Sequence, residues 1–554
     1  MDKIINLIYG KRIHLVILTM LGLLGSLDIF SREFQNDANP LLLFVKWFTI
    51  SFLFSLFLSF AISMKNKIVR RISIVIVIMY ILLCITNAVS YLFWGFGISC
   101  RMFTIIFETN KREVGEFINY SISNFISPDF LIRFLSFSLV TAVLAYGFHK
   151  LKGKTFLIIS AILGCIGIFT TIHQLRNAIE WKNANVFIRT LWDFKRTQDS
   201  MREFAAISQL GKNETYYLET LKGEGAADNI IIVIGESASR KHHSIYGYKL
   251  NTTPALKSIK DEIIVFNDVI SSYSTTSESM KTFMSYKNST NNTKEWYQYA
   301  SIPTIFSELG YKTYWISNQE KGGFSGGCEN YYSEKCDTSI FVGMLYTGDN
   351  LQEKFDDALL PELSEALKDN APKKMIILHM MGSHGMYKRR YPKEFSKFSD
   401  SDIEEAGRDY LNKSKKTLIA EYDNSILYSD YILSNMIDTL KKYNNQKTLY
   451  VYFSDHGEEM YEKRDFAGHS TGYVDIPFIM WINNPLREEL GDKYTSITES
   501  IDKPISLENL PEFLLGISDI QYHLYDSTLN FISPYYHMDK RFADNLVYTK
   551  GQCD

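Results

Sequence analysis

Apolar residues are gathered at the front of the chain. Four long apolar stretches, about 40–64, 72–96, 130–148 and 155–173, lie within the first 175 residues. A fifth, Ile13–Phe30, precedes them and carries His14 and Asp28. Each approaches or exceeds the roughly 17–25 residues that a helix needs to cross a bilayer. One such stretch could be a buried core helix; five in succession predict a membrane bundle. No small-residue cleavage site followed by a soluble domain appears, so the first stretch reads as an uncleaved helix.

Basic residues orient this bundle. Lys65, Lys67, Arg70 and Arg71 fall between the second and third stretches, and Lys150, Lys152 and Lys154 between the fourth and fifth. With the basic N-terminus they lie on one side, which the positive-inside rule places in the cytoplasm. Five crossings then deliver everything after about residue 176 to the far side. The external loop 97–129 holds Thr109 and Glu113, four apart and so on one face of a helix. By spacing alone that is a solvated amphipathic turn.

Residues 176–227 are polar, with helical spacing at Leu191, Phe194, Met201 and Phe204, and with Trp181 and Trp192 as interfacial anchors. From 228 onward, short apolar runs alternate with helical patterns. Strands are predicted at Asn229–Ile234, Ile263–Phe266, Thr313–Ile316, Met375–His379, Thr448–Phe453 and Phe478–Ile482. Helical patterns lie near 276–287, 303–309, 354–369, 417–443 and 507–515. The alternation predicts an α/β domain with a mostly parallel central sheet covered on both faces. The expected organisation is thus a transmembrane domain over 1–175, an amphipathic linker over 176–227 and a catalytic domain over 228–554.

Composition narrows the function classes. A net charge of -3 leaves no polycationic footprint for nucleic acid. With 14% aromatic and 22% charged residues the chain is far from disordered composition.

The chemistry collects at strand ends, where α/β sheets bind ligands. The first strand runs into Gly235-Glu236-Ser237, and the second leads through Ser274-Thr275-Thr276-Ser277-Glu278 into a helix. A later strand ends at His379, followed by Gly382-Ser383-His384-Gly385. Another ends in Ser454-Asp455-His456-Gly457-Glu458, with Gly468-His469 beyond. Taken singly these are helix caps and ordinary polar residues. Their recurrence at four strand ends predicts an oxygen and nitrogen ligand set suited to zinc, with manganese as the alternative. A threonine hydroxyl is a poor nucleophile unless a base or metal activates it. Placed at a helix N-terminus, where backbone N–H groups favour a phosphate, Thr276 is the candidate for attack on a phosphoryl or sulfuryl centre.

These motifs, together with Tyr246-Gly247-Tyr248 and Thr252-Thr253-Pro254 and the five-span preface, resemble the phosphoethanolamine transferases of Gram-negative envelopes. That family lies in the alkaline phosphatase/sulfatase superfamily, and the resemblance covers nearly the whole chain. It implies an inner-membrane, multi-pass enzyme with a periplasmic sulfatase-like domain. Glu236, Thr276, Asp455 and His456 would bind the catalytic zinc, with Thr276 the nucleophile. His384 and His469 would contact the substrate phosphoryl group or a second zinc and carry protons, and His379 would orient. Thr109 and Glu113 would line the lipid headgroup site. The implied reaction takes phosphoethanolamine from phosphatidylethanolamine onto Thr276 and passes it to an envelope lipid, glycan or protein.

Two departures stand out. Ser272 and Thr282 occupy places where many relatives have cysteines, and Ile105 stands where many have asparagine. Cys328 and Cys336 share one external loop, which in an oxidising periplasm predicts a disulfide. Nearby Asn318 and Lys321 are candidate acceptor contacts. The rival readings are a glycerophosphate transferase of the lipoteichoic-acid synthase type and a non-catalytic envelope scaffold. Gly-Glu-Ser and Gly-Ser-His-Gly favour the ethanolamine branch over the first, and the full ligand set opposes the second.

Overall fold

The structure is a computed structural model that describes residues 12–26, 40–94, 186–210, 220–319, 328–347, 350–461, 471–538, 540–544 and 546–549, with single residues and short runs elsewhere up to 218. The chain divides into two compact units, the first Met1–Phe204 and the second most of the remainder.

The first unit is helical. Helix α1 (Arg12–Leu24), α2 (Pro40–Ile62) and α3 (Lys67–Trp94) pack together, and α4 (Val186–Leu210) follows. Among the described residues, two segments are long and apolar enough to cross a membrane: Phe44–Ile62 and Lys67–Tyr91. The expected spans at 130–148 and 155–173 fall largely outside the described residues. Helix α3 starts earlier than the hydropathy suggests: Asn66 Oδ1 accepts the N–H groups of Ile68 and Val69, so Lys67, Arg70 and Arg71 sit on the helix and not in a loop.

The polarity of this unit runs opposite to that of a water-soluble core. Ile68, Ile72, Val75 and Leu82 point outward, 56–69% exposed, whereas Thr49, Ser51, Ser55 and Asn87 are fully buried. A bundle in lipid needs that arrangement, because only its interior can satisfy polar groups. Asn87 is a hub. It donates to Gly25 O (2.9 Å) and accepts from Ile98 N (2.6 Å) and Arg189 Nη2 (3.0 Å). Gly25 permits the approach of α1 to α3, since a Cβ there would lie 3.0 Å from Cys84 Cα.

The second unit is built on a seven-stranded sheet. Its strands are β1 (Asn229–Gly235), β2 (Ile263–Phe266), β3 (Lys312–Ser317), β4 (Thr338–Phe341), β5 (Lys374–His379), β6 (Thr448–Ser454) and β7 (Phe478–Ile482). They lie in the order β2-β7-β6-β1-β5-β3-β4. Only β7 runs antiparallel to its neighbours, so the mostly parallel sheet expected from the sequence is found. The helices used below are α5 (Thr276–Phe283), α6 (Leu359–Lys368), α7 (Lys413–Lys441) and α8 (Leu510–Ile517).

Both faces of the sheet are covered, which is why β1 reads as unbroken aliphatics. On one face Ile231, Val233, Ile376 and Leu378 pack with Leu363 of α6 and Ile432 and Met436 of α7. On the other, Phe283 of α5 meets Phe453 edge-on at 5.1 Å, and Phe513 of α8 stacks on Phe531 at 4.7 Å.

Helix α8 also buries Glu512 to 1% exposure. Burial, helped by the charge of Asp526 and only partly offset by the Asp526 N–H, pushes its carboxyl up to about 8. A carboxyl raised above its unfolded value near 4.3 withdraws stability as pH climbs from that value through the folded one. Glu512→Gln keeps an oxygen for Asp526 N and is expected to raise the melting temperature relative to wild type at pH 8.5, with a much smaller difference at pH 5. Melts at the two pH values check this.

Candidate metal and phosphoryl-transfer site

Three parallel strands deliver the site from their carboxyl ends. β1 and β6 pair in register down to Gly235 opposite Ser454, and Asp455 N donates to Gly235 O at 3.0 Å. The next residues, Glu236 and Asp455, therefore leave the sheet side by side. Gly235 has no room for a side chain, since a Cβ would lie 2.8 Å from the Tyr452 ring. Ser237 then takes a left-handed conformation (φ 55), which costs a non-glycine residue roughly 1 kcal/mol or more. Tyr422 of α7 fixes that turn from behind: its hydroxyl donates to Ser237 O and accepts from Ser239 N, both at 2.8 Å.

On the other side, β5 ends at His379 and the chain turns at Gly382, whose φ is +50. A Cβ at Gly382 would meet the Glu236 backbone N and O, each at 2.9 Å. Asp356, buried to 2% exposure, accepts from Met381 N (2.8 Å), Gly382 N (2.9 Å) and Asn318 Nδ2 (2.8 Å). Ser383 N donates to Glu236 O at 2.9 Å. The backbone of Glu236 is thus held on both sides.

Glu236, Asp455 and His456 each place a ligand atom within 4.8 Å of the others. Thr276, half-buried at the start of α5, donates from Oγ1 to Glu236 Oε2 at 3.1 Å. Glu236 Oε1 accepts from Ser237 Oγ at 2.6 Å and lies 3.4 Å from His456 Nε2. His456 is oriented by Nδ1 against Gly457 O at 2.7 Å. Asp455 Oδ1 accepts from Ser237 N and His456 N, while its buried Oδ2 has no hydrogen-bond partner. A fully buried carboxylate oxygen without a donor, beside a second carboxylate and an imidazole, fits a zinc ion.

Without an ion, these buried groups perturb one another strongly. Burial opposes the charge on Glu236, but the hydrogen bond and charge of His456 and the charge of His384 hold it well below the usual range. Burial and then the charge of Glu236 push Asp455 up to about 7. For His456, burial is outweighed by Asp455 and Glu236, which raise it to about 10. Burial lowers His379 to about 4, so it is a neutral ring.

The sequence-predicted residues fare unequally. Glu236, Thr276, Asp455 and His456 come together. His384 stands close enough for its charge to bear on Glu236, and its buried Nδ1 has no partner. His469, Thr109, Glu113 and Lys321 lie outside the described residues. The expected disulfide does not join Cys328 to Cys336 in the structure. Cys336 Sγ donates to Tyr332 O at 3.5 Å one turn back, and Cys328 Sγ donates to Ser277 O at 3.4 Å, so each thiol is turned to a backbone carbonyl. Asn318 is tied to Asp356 and serves the scaffold.

Tyr246-Gly247-Tyr248 and Thr252-Thr253-Pro254 are also structural. Tyr246 Oη donates to Phe478 O at 3.1 Å, and Thr252 and Thr253 clasp the turn at 242–245. Sequence reasoning missed Gln319, whose Nε2 donates to Glu236 Oε2 at 3.2 Å. The only signal for it was its position just past the end of β3.

Comparison with known proteins agrees with this geometry. A family model described as Sulfatase matches residues 228–520. Phosphoethanolamine transferase EptC of Escherichia coli O18:K1:H7 is 26% identical over 509 residues, 86% of this chain and 85% of that one. The crystal structure of the C-terminal periplasmic domain of EcEptC from Escherichia coli, a complex with Zn, is 27% identical with a TM-score of 0.53, covering 60% of this chain and 95% of that one. The integral membrane protein lipooligosaccharide phosphoethanolamine transferase A (EptA) from Neisseria meningitidis shares the fold over 93% of this chain and 97% of its own, with a TM-score of 0.63 at 20% identity.

Proposed function

The chain belongs to the sulfatase family, and on that premise we propose that it is a zinc-dependent phosphoethanolamine transferase of a bacterial inner membrane, with its catalytic unit in the periplasm. The observation that carries the reading is the Thr276 hydroxyl directed at Glu236 within the Glu236–Asp455–His456 cluster. The EptC and EptA names of relatives that match most of this chain support it. The outward apolar faces of α2 and α3 support a lipid-embedded first unit, for which five spans remain the proposed count.

Glu236, Asp455, His456 and Thr276 would hold the zinc, with manganese the alternative for the same donors. His384 and His469 would serve a second metal or the substrate phosphoryl oxygens. Bound zinc supplies Lewis acidity that favours an alkoxide and offsets charge on phosphoryl oxygens.

The protein's own groups then act in two displacements. Thr276 Oγ1 forms a bond to the phosphorus of phosphatidylethanolamine, and its proton, directed at Glu236 Oε2 in the resting site, is lost to solvent, so that Glu236 stays a carboxylate. The bond from phosphorus to the diacylglycerol oxygen breaks, and His384 gives that oxygen a proton. An oxygen of the acceptor next attacks the same phosphorus, losing its proton to His384. The Thr276 ester bond breaks, and Oγ1 regains from solvent the proton it lost in the first step. The N-terminal N–H groups of α5 face the phosphoryl group as its charge builds. Thr109 and Glu113 are proposed to contact the donor headgroup.

The full chain, zinc-loaded and placed in vesicles containing phosphatidylethanolamine, is expected to release diacylglycerol. An absence of release would exclude this donor. Comparing envelope lipids, glycans and proteins from cells with and without the gene then identifies the acceptor.

A further inference from the structure

Glu236 is held by donors on both of its oxygens, and they are not equivalent. Oε1 receives Ser237 Oγ, its sequence neighbour. Oε2 receives two donors, Thr276 Oγ1 at 3.1 Å and Gln319 Nε2 at 3.2 Å. The first of these is chemically temporary. Once Thr276 Oγ1 is esterified to phosphorus it carries no hydrogen and cannot donate.

Gln319 suffers no such change, and it is rigidly presented. β3 delivers it: Asn318 N continues the pairing onto His379 O at 2.8 Å, and Asn318 Nδ2 is tied to Asp356. Gln319 N donates to Ser317 Oγ at 3.1 Å. Its amide nitrogen also lies 3.1 Å from Met380 O and 3.1 Å from His379 Nε2. A carboxylate and a backbone carbonyl can only accept. Reversing the amide would set its oxygen against both, so the NH₂ end must face Glu236.

The geometry points to Gln319 as the positioning residue that keeps Glu236 aimed at the metal while Thr276 carries the transferred group. This rests on the phosphothreonine reading above and adds to it a division between the two half-reactions. Gln319 acts through Glu236 and touches no reacting atom. Groups that orient a metal ligand from behind alter metal affinity by about 10–100-fold when removed.

Gln319→Met and Gln319→Leu remove the donor and leave an apolar side chain. For each full-length variant, the melting temperature of the metal-free protein, the zinc dissociation constant by chelator competition, and the rates of adduct formation and breakdown on Thr276 are measured. The expected result is a modestly lowered metal-free melt, since two acceptors lose a donor, zinc binding weakened about 10–100-fold, and breakdown slowed more than formation at saturating zinc, so that adduct accumulates. Zinc affinity within twofold of wild type in both variants, or equal slowing of the two steps, overturns the proposal. Failure of the underlying reading shows itself separately, as a zinc-loaded wild type that forms no adduct.

Discussion

Thr276→Ala is expected to abolish adduct formation and to lower turnover by on the order of 10⁴-fold or more, the scale of losing a nucleophile that works as a unit with its activating groups. Among the described residues, two hydroxyls donate to Glu236, those of Thr276 and Ser237. Ser237 is only 4% exposed, and its hydroxyl is spent on Glu236 Oε1 at 2.6 Å. Thr276 stands at the open end of α5 with the N-terminal N–H groups beside it. Intact-protein mass spectrometry after incubation with phosphatidylethanolamine should therefore show one phosphoethanolamine on wild type and on Ser237→Ala, and none on Thr276→Ala. Thr276→Ser, which restores a hydroxyl, should regain the adduct. Equal adducts on wild type and Thr276→Ala would sink the mechanism.

The second large effect concerns Asp455. Without a metal, its Oδ2 is buried with no hydrogen-bond donor, close to a second carboxylate and 3.6 Å from His456 Nε2, and burial with the Glu236 charge outweighs that imidazole. Asp455→Asn keeps an oxygen for the N–H groups of Ser237 and His456 and places an amide N–H₂ where Oδ2 was. The metal-free variant should melt at or above the metal-free wild type, because a buried like-charge contact is removed. Zinc should reverse that order. At 100 times its dissociation constant a ligand adds about 2.7 kcal/mol, worth several degrees for wild type and little for the variant. Melts with and without zinc decide the matter. A variant that zinc stabilises as strongly as wild type would show that Asp455 is not a ligand.

What the sequence revealed follows from burial and from separation along the chain. β1 was legible as Asn229–Ile234 because both faces of that strand are covered. The edge strand β4 was not, being four residues long and mostly half-exposed. Glu236, Thr276, Asp455 and His456 were legible because each sits where a strand or helix ends. Gln319, Tyr422 and Asp356 were invisible, since their value lies in partners that come near only on folding. The Cys328–Cys336 pairing failed because sequence proximity says nothing of where a thiol points: Cys336 turns back to Tyr332. The first turn of α3 escaped hydropathy because its N-cap, Asn66, gathers basic residues onto the helix.

The in-register pairing of β1 with β6 has a further consequence, for assembly. Glu236 and Asp455 follow the last paired residues of adjacent parallel strands, and adjacent strands lie about 4.8 Å apart. The spacing of the two carboxylates is therefore inherited from the backbone. A slip of one residue between these strands would turn one carboxylate to the opposite face and leave no chelate. If Glu236 and Asp455 hold the proposed ion, its binding would require that two segments more than two hundred residues apart have aligned in register.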